Sequence, residues 1–352
     1  MKSGCSRRAG EAVRLPAAPV TVIVGIGLFL SLIVAITFGP ANLSFTKVWS
    51  ILLHAANLGP DPGATPLETA MVVHLRLPRE LLAAIAGAGL SICGVIMQSV
   101  LRNPLAEPYL LGVSSGASTG AVVVMVIGVT GTISSLVLSV GAFLGALLSF
   151  ILMLFLAKLA VGTTDKIVLA GVAVTQGFAA VTSFIIMVGA DANATRGVLY
   201  WLMGSLANVG WGEVAVNAIV LLLALIICLQ MSGSLDAFTF GEAQASTLGV
   251  AVKRTRWVLL ILSALLTATI VSTCGAIGFV GLVMPHVARL LVGSRHHALL
   301  PVSAVCGAVF LLWVDTIARA SFAPLELPVG VITALVGVPV FAAILTRRRR
   351  AQ

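Results

Sequence analysis

Three arginines and one aspartate are the residues whose types and spacing could do chemistry. Arg76 and Arg79 stand three apart at the head of an apolar run, and Asp315 lies four residues before Arg319 near the end of another. Spacings of three and four put side chains on one helix face, so Asp315 and Arg319 are expected to form an ion pair. A planar guanidinium also suits two-point pairing with a carboxylate. Other candidates are weaker. Adjacent helical residues point about 100° apart, so His296 and His297 read as solvated loop histidines and not as a metal site. His286 follows Pro285 and reads as a polar patch in a broken helix rather than a proton relay. Cys5, Cys93, Cys228, Cys274 and Cys306 have no paired metal spacing. Four of them lie in apolar runs, where cysteine behaves as a small hydrophobe, and no disulfide framework is implied. There is no G-x-x-x-x-G-K-[ST] phosphate loop, no H-E-x-x-H and no nucleophile elbow. Neither an enzyme nor a resident metal is expected.

The elements that must position these residues are membrane helices. Only 9% of the 352 residues are charged and 59% are hydrophobic, against about 25% charged in ordinary soluble domains. Lipid as solvent resolves that excess, provided every backbone polar group is satisfied internally. The net charge of +9 does not point to nucleic acid, because the basic residues flank apolar runs instead of forming one patch. The fold class expected is all-α and polytopic, with about ten spans of roughly 20 residues each.

The spans are expected at Val20–Phe38, Leu81–Val100, two within Pro108–Ala157 with a turn at Thr130-Gly131-Thr132, Ile167–Ala190 and Val214–Gln230. Four more follow, at 257–274, 277–292, Ala298–Ile317 and Leu327–Thr346. Val20–Phe38 is read as an uncleaved first span, since it is longer than a signal-peptide core and no small-residue cleavage site follows. Ten spans place both termini on one side. Sixteen Lys and Arg then lie inside and five outside (Lys47, Arg76, Arg79, Arg196 and Arg319). That asymmetry predicts a multi-pass plasma (inner) membrane protein with cytoplasmic termini. Residues 1–19 form a cytoplasmic segment, 20–346 the membrane domain and 347–352 a basic tail. Tyr109, Trp211 and Trp257 fall at span ends as an aromatic belt. The stretch 193–211 is expected as a short outer interfacial helix, and 233–256 as the longest inner loop. Gly112, Gly116 and Gly120, with Gly141 and Gly145, predict close helix packing, read as intramolecular. Asn103 before Pro104 predicts a sharp start to the third helix. No carboxylate falls clearly at the midplane, so an energy source in another subunit is favoured over ion coupling.

Eight strings then occur in order. They are Leu75-Arg-Leu-Pro-Arg-Glu80, Gly87-Ala-Gly-Leu-Ser91 with Gly94 and Met97-Gln98, Asn103-Pro-Leu-Ala-Glu-Pro108 and Leu111-Gly-Val-Ser114. Further along come Leu169-Ala-Gly-Val172, Gly241-Glu-Ala243 with Leu248-Gly249, Gly275 through His286, and Glu326-Leu-Pro-Val-Gly330. Together they resemble the FecCD-type permeases of ABC importers, over residues 20 to 346. The resemblance implies a type II importer permease for an iron–siderophore, haem or cobalamin ligand. It also implies a second permease subunit, identical or paralogous, two cytoplasmic ATPases that use ATP and Mg2+, and an extracytoplasmic ligand-binding protein. No cofactor on this chain itself is implied. An ion-coupled secondary transporter is the alternative, and a non-transporting membrane scaffold a third.

The resemblance also assigns sites. Arg76, Arg79 and Arg319 are expected to present guanidinium groups to carboxylates of the binding protein, though headgroup contact also fits them. Gly241, Glu242, Ala243, Leu248 and Gly249 are expected to form the ATPase coupling loop. There the glycines bracket a short helix, with Glu242 at its positive end and Leu248 ready to fill an apolar pocket. Thr163, Thr164 and Asp165 are expected at a cytoplasmic gate. The residues alone also fit a solvated turn that caps the next helix.

Overall fold

The computed structural model describes residues 17–39, 43–128, 134–160, 164–207, 209–321 and 325–349. Among these the chain is helical, with no strand. The helices are α1 (Ala17–Ala35), α2 (Phe45–Ala55), α3 (Pro66–Ala70), α4 (Leu77–Val100), α5 (Val113–Ile127), α6 (Ser135–Leu159), α7 (Thr164–Gly189) and α8 (Ala192–Leu202). They continue with α9 (Trp211–Gln230), α10 (Ser232–Thr239), α11 (Glu242–Thr247), α12 (Val252–Cys274), α13 (Val280–Val292), α14 (His296–Ala320) and α15 (Val329–Arg349). A π-helical turn at Met71–Arg76 joins α3 to α4, so 66–100 is one helical rod. Six helices are long and apolar enough to cross a membrane, and four shorter apolar ones cover 19–35, 113–126, 280–292 and 329–343. These ten coincide with the ten expected spans. The proposed turn at 130–132, most of the 1–19 segment and Arg350 lie outside the described residues.

α4 runs through the middle and packs on α9, α12, α13 and α14. Its small residues make this possible: Ala83, Ala84, Ala86, Gly87, Ala88, Gly89, Ser91, Cys93 and Gly94 are all buried, and in lipid, close backbone approach supplies the packing that water would otherwise drive. α5, α6 and α7 form a second group. A Cβ on Gly116 would meet the Gly145 carbonyl oxygen, and one on Gly120 that of Gly141. The glycine pattern therefore seals α5 to α6 within one chain.

Two expectations fail at one place. α5 starts at Val113, ten residues beyond Asn103. Asn103 Oδ1 instead accepts from the Leu105 amide in a turn, and a 3-10 turn at Pro108–Leu111 precedes the helix. Tyr109 does not serve the aromatic belt. Its hydroxyl accepts from Ile277 N–H at 2.7 Å and donates to the Ile277 carbonyl at 2.6 Å. Ile277 lies in the non-helical stretch between α12 and α13, whose backbone needs protein partners at membrane depth. This bridge explains why α5 and α13 are both short: each stops where these two irregular segments meet inside the bundle. Pro285 sits inside a continuous α13, so the break falls before it, where Gly275 and Phe279 have φ of 70° and 68°.

Beyond the spans, α8 occupies the expected interfacial segment. α2 was not anticipated, and neither was α10, which replaces part of the expected 233–256 loop.

Candidate functional site

α14 separates two polar sites. Its C-terminal end carries Asp315 and Arg319, and its N-terminal end carries His296. At the first, which we call the arginine end, the proline-led start of α4 brings Arg79 against Asp315 and Glu80 against Arg319. Arg79 Nε donates to Asp315 Oδ2 at 2.9 Å and Nη2 to Oδ1 at 2.9 Å, a two-point pair. Arg79 Nη1 reaches Glu326 Oε2 at 3.0 Å, just before α15. Arg319 pairs with Glu80 and lies 3.6 Å from Asp315. Its Nη1 and Nη2 also donate to the carbonyls of Phe38 and Ala35, at 2.6 and 2.9 Å. Arg76 Nη1 donates to the carbonyls of Ile36 and Thr37. These carbonyls lie at and just beyond the C-terminal end of α1, where cations are favoured. Arg79 and Arg319 thus meet three carboxylates, Glu80, Asp315 and Glu326, and with Arg76 on the neighbouring carbonyls the cluster has no net formal charge.

This corrects the expectation of outward-facing arginines. Arg76, Arg79 and Arg319 are 4%, 9% and 3% exposed, and each is bonded within the chain. Buried charges are costly unless paired and hydrogen-bonded, and this network pairs them. The Asp315–Arg319 contact exists, but Arg79 is the closer partner of Asp315. Glu80 is a buried carboxylate that was not foreseen, although it adjoins Arg79, and Asp315 was expected only as the partner of Arg319.

At the opposite end α10 and α11 form an elbow. Gly241 and Gly249 have φ of 105° and 82°, a region that L side chains rarely adopt, and they bound α11 on both sides. Glu242, in the first turn of α11, forms an ion pair with Arg256 of α12, so its partner lies within the chain. Phe240 and Leu248 are 70% and 67% exposed on either side of α11, and Ala243 is exposed as well. α11 spans six residues, with Leu248 as its C-cap.

His296 is not solvated, whereas His297 is exposed. His296 Nδ1 meets Asp236 Oδ1 of α10 at 2.6 Å, and its backbone N–H donates to the same oxygen at 2.9 Å. Its Nε2 meets Ser99 Oγ of α4 at 2.6 Å. This chain ties the elbow to the central helix and to α14. Asp236 sits 60 residues away in sequence, so no local pattern announced it. His286 Nδ1 contacts the Leu282 carbonyl of its own helix.

Of the expected gate, Thr163 lies outside the described residues. α7 starts at Thr164, and Asp165 stands exposed in its first turn, where a carboxylate is favoured by the helix dipole.

The profile of the FecCD transport family matches residues 26–347. This chain belongs to the FecCD transport family. The vitamin B12 import system permease protein BtuC of Vibrio cholerae is 39% identical over 322 residues, covering 92% of this chain and 92% of that one. The molybdate import system permease protein MolB of Haemophilus influenzae is 32% identical, covering 92% of this chain and 94% of that one. A solved metal-chelate type ABC transporter in an inward-facing conformation superposes with a TM-score of 0.81 at 29% identity, over 94% of this chain and 99% of that chain. The FecCD chain is thus an all-helical, multi-pass ABC transporter permease, and the eight strings sit on the structural features just described. Leu75–Glu80 and Glu326–Gly330 build the arginine end, Gly241–Gly249 the elbow, and Gly275–His286 the break bridged by Tyr109.

Proposed function

We propose that this FecCD permease carries an iron–siderophore, haem or cobalamin type of ligand from an extracytoplasmic binding protein to the cytoplasm. The elbow end faces the cytoplasm and the termini lie on that side. Energy comes from two separate ATPase subunits using ATP and Mg2+, and a second permease subunit completes the path. The observation that carries this reading is the elbow. A short helix bounded by left-handed glycines, flanked by exposed Phe240 and Leu248 and braced by Glu242–Arg256 and Asp236–His296, is a rigid lever whose apolar docking points stay exposed among the described residues.

The exposed face of α7 supports a path between subunits. Gln176 and Ser183 are exposed midway along a mostly apolar helix. An amide there finds no hydrogen bond in hydrocarbon, so this face meets water or protein. Thr163, Thr164 and Asp165 are assigned to closing the cytoplasmic end of that path, and Thr164 and Asp165 stand at the start of α7.

The arginine end receives the binding protein in a narrower way than three exposed cations would. Glu326, 33% exposed, is the carboxylate that a docking protein's own acid replaces on Arg79. Ion coupling gains nothing from Glu80 and Asp315, because both are held by arginines.

The test is transport in proteoliposomes holding both permease subunits, the ATPases and the binding protein, with a ligand panel. Uptake is expected only with ATP and all subunits, and the lone permease is expected to bind no nucleotide saturably. Uptake by the lone chain driven by an ion gradient would replace this reading with the secondary transporter.

A further inference from the structure

A cavity of about 770 Å³ opens at the elbow end between the last turns of α6 and the first turns of α12. Its rim carries Lys158, Lys253 and Arg256 against one carboxylate, Glu242. Glu242 is engaged with Arg256. Neither lysine side chain has an acidic partner among the described residues, so the rim holds two uncompensated positive charges.

The wall below the rim is apolar. Leu154, Trp257 and Ile261 line it, and Trp257 lies one helical turn deeper than Lys253, the depth at which tryptophan marks a membrane boundary. The apolar surface continues beyond the cavity. Ile151 and Phe155 on α6, with Val258 and Leu265 on α12, are all exposed. A soluble anion would use the lysines and leave that strip uncovered. A phospholipid covers both, with its phosphate between the ammonium groups and its chains along the strip. Basic pockets between spans at a membrane surface favour anionic headgroups for this reason.

The geometry points to a specific site for an anionic phospholipid, with Lys158 and Lys253 on the phosphate and Trp257 beside the upper acyl chain. The site shares Glu242 and Arg256 with the base of the elbow, so its occupant sits against the brace of α11. The binding itself depends only on the cavity, whichever way the chain crosses the membrane.

The experiment uses the full chain in phosphatidylcholine nanodiscs. Brominated phosphatidylglycerol or brominated phosphatidylcholine is titrated in, and the Trp257 contribution is the quenching lost in Trp257→Phe. Phosphatidylglycerol is expected to quench Trp257 at a mole fraction lower by roughly tenfold or more. In the Lys158→Gln/Lys253→Gln double variant the preference is expected to vanish with the melting temperature unchanged. Lys47→Gln, a lysine in α2, is expected to keep it, and inorganic phosphate at millimolar concentration is expected not to abolish it. Native mass spectrometry of wild type and double variant reads retained phosphatidylglycerol independently, should Trp257→Phe fold poorly. Equal quenching by both lipids, or a preference that survives loss of both lysines, overturns the site. Loss of the preference in Lys47→Gln would show a general charge effect, and its loss with phosphate a soluble-anion site; either overturns the lipid assignment.

Discussion

The arginine end and the elbow end both concentrate charge, and they treat it in opposite ways. At the arginine end Arg76, Arg79 and Arg319 are buried, and the three carboxylates bring the formal charge to zero. The network ties α1, α4, α14 and the lead-in to α15 together. At the elbow end Glu242 and Asp236 are part-exposed, Phe240 and Leu248 project outward, and glycines set the limits of α11. One end is a closed lock and the other an open lever. A transporter needs both, because motion applied at one place does work only if the helices that receive it are held rigid elsewhere.

The sharpest way to break the comparison is at the lock. Arg319→Ala leaves Glu80 buried without its partner and the α1 carbonyls without their cation. Such a loss is expected to lower stability by about 3–5 kcal/mol, read as a drop in the melting temperature of the purified chain in detergent. A melting temperature within a degree of wild type would mean that the end is not a lock.

At the lever the expected effect is on coupling and not on folding. Gly249→Val places a β-branched residue at φ 82° with open space around it, and Glu242→Lys sets like charge against Arg256. Transport and ligand-stimulated ATP hydrolysis are expected to fall together by roughly tenfold, within the usual ~1–3 kcal/mol range of coupling between sites. Assembly with the ATPase is expected to persist. Normal transport by both variants would move coupling to residues 163–166. Asp236→Ala refines the point: it frees the lever from α4 and α14, and is expected to raise basal hydrolysis relative to ligand-stimulated hydrolysis.

A smaller effect separates the lock's rim from its interior. Glu326→Gln leaves Arg79 bonded to Asp315 and is expected to change stability little. It is expected to alter binding-protein docking by about 1 kcal/mol, with a weaker dependence on salt. Unchanged docking would remove Glu326 from the docking surface. Smallest of all, Asp165→Asn at the start of α7 is expected to cost about 0.3–1 kcal/mol of local helix stability, measured as faster amide exchange in the first turn of α7.

The ten spans were legible because hydrophobicity and length are local properties, and a bilayer imposes the same demand on each run of about 20 residues. The α5–α6 glycine seam was legible for a similar reason, since i, i+4 spacing marks one helix face without knowledge of the partner. The glycines that bound α11 were legible by their type. Which groups those residues meet was not legible. Arg79 finds Asp315 across 236 residues, His296 finds Asp236 across 60, and Tyr109 finds Ile277 across 168. Arginines near span ends read as outward cations because snorkelling is the common outcome. Only the packing of α1 against α14 and α4 turned them inward, by offering carbonyls at the end of α1 and two buried carboxylates. Sequence determined that this chain crosses a membrane many times, and where. Tertiary structure decided which charges are spent in holding it together and which remain for partners, because pairing depends on three-dimensional proximity that no local spacing encodes.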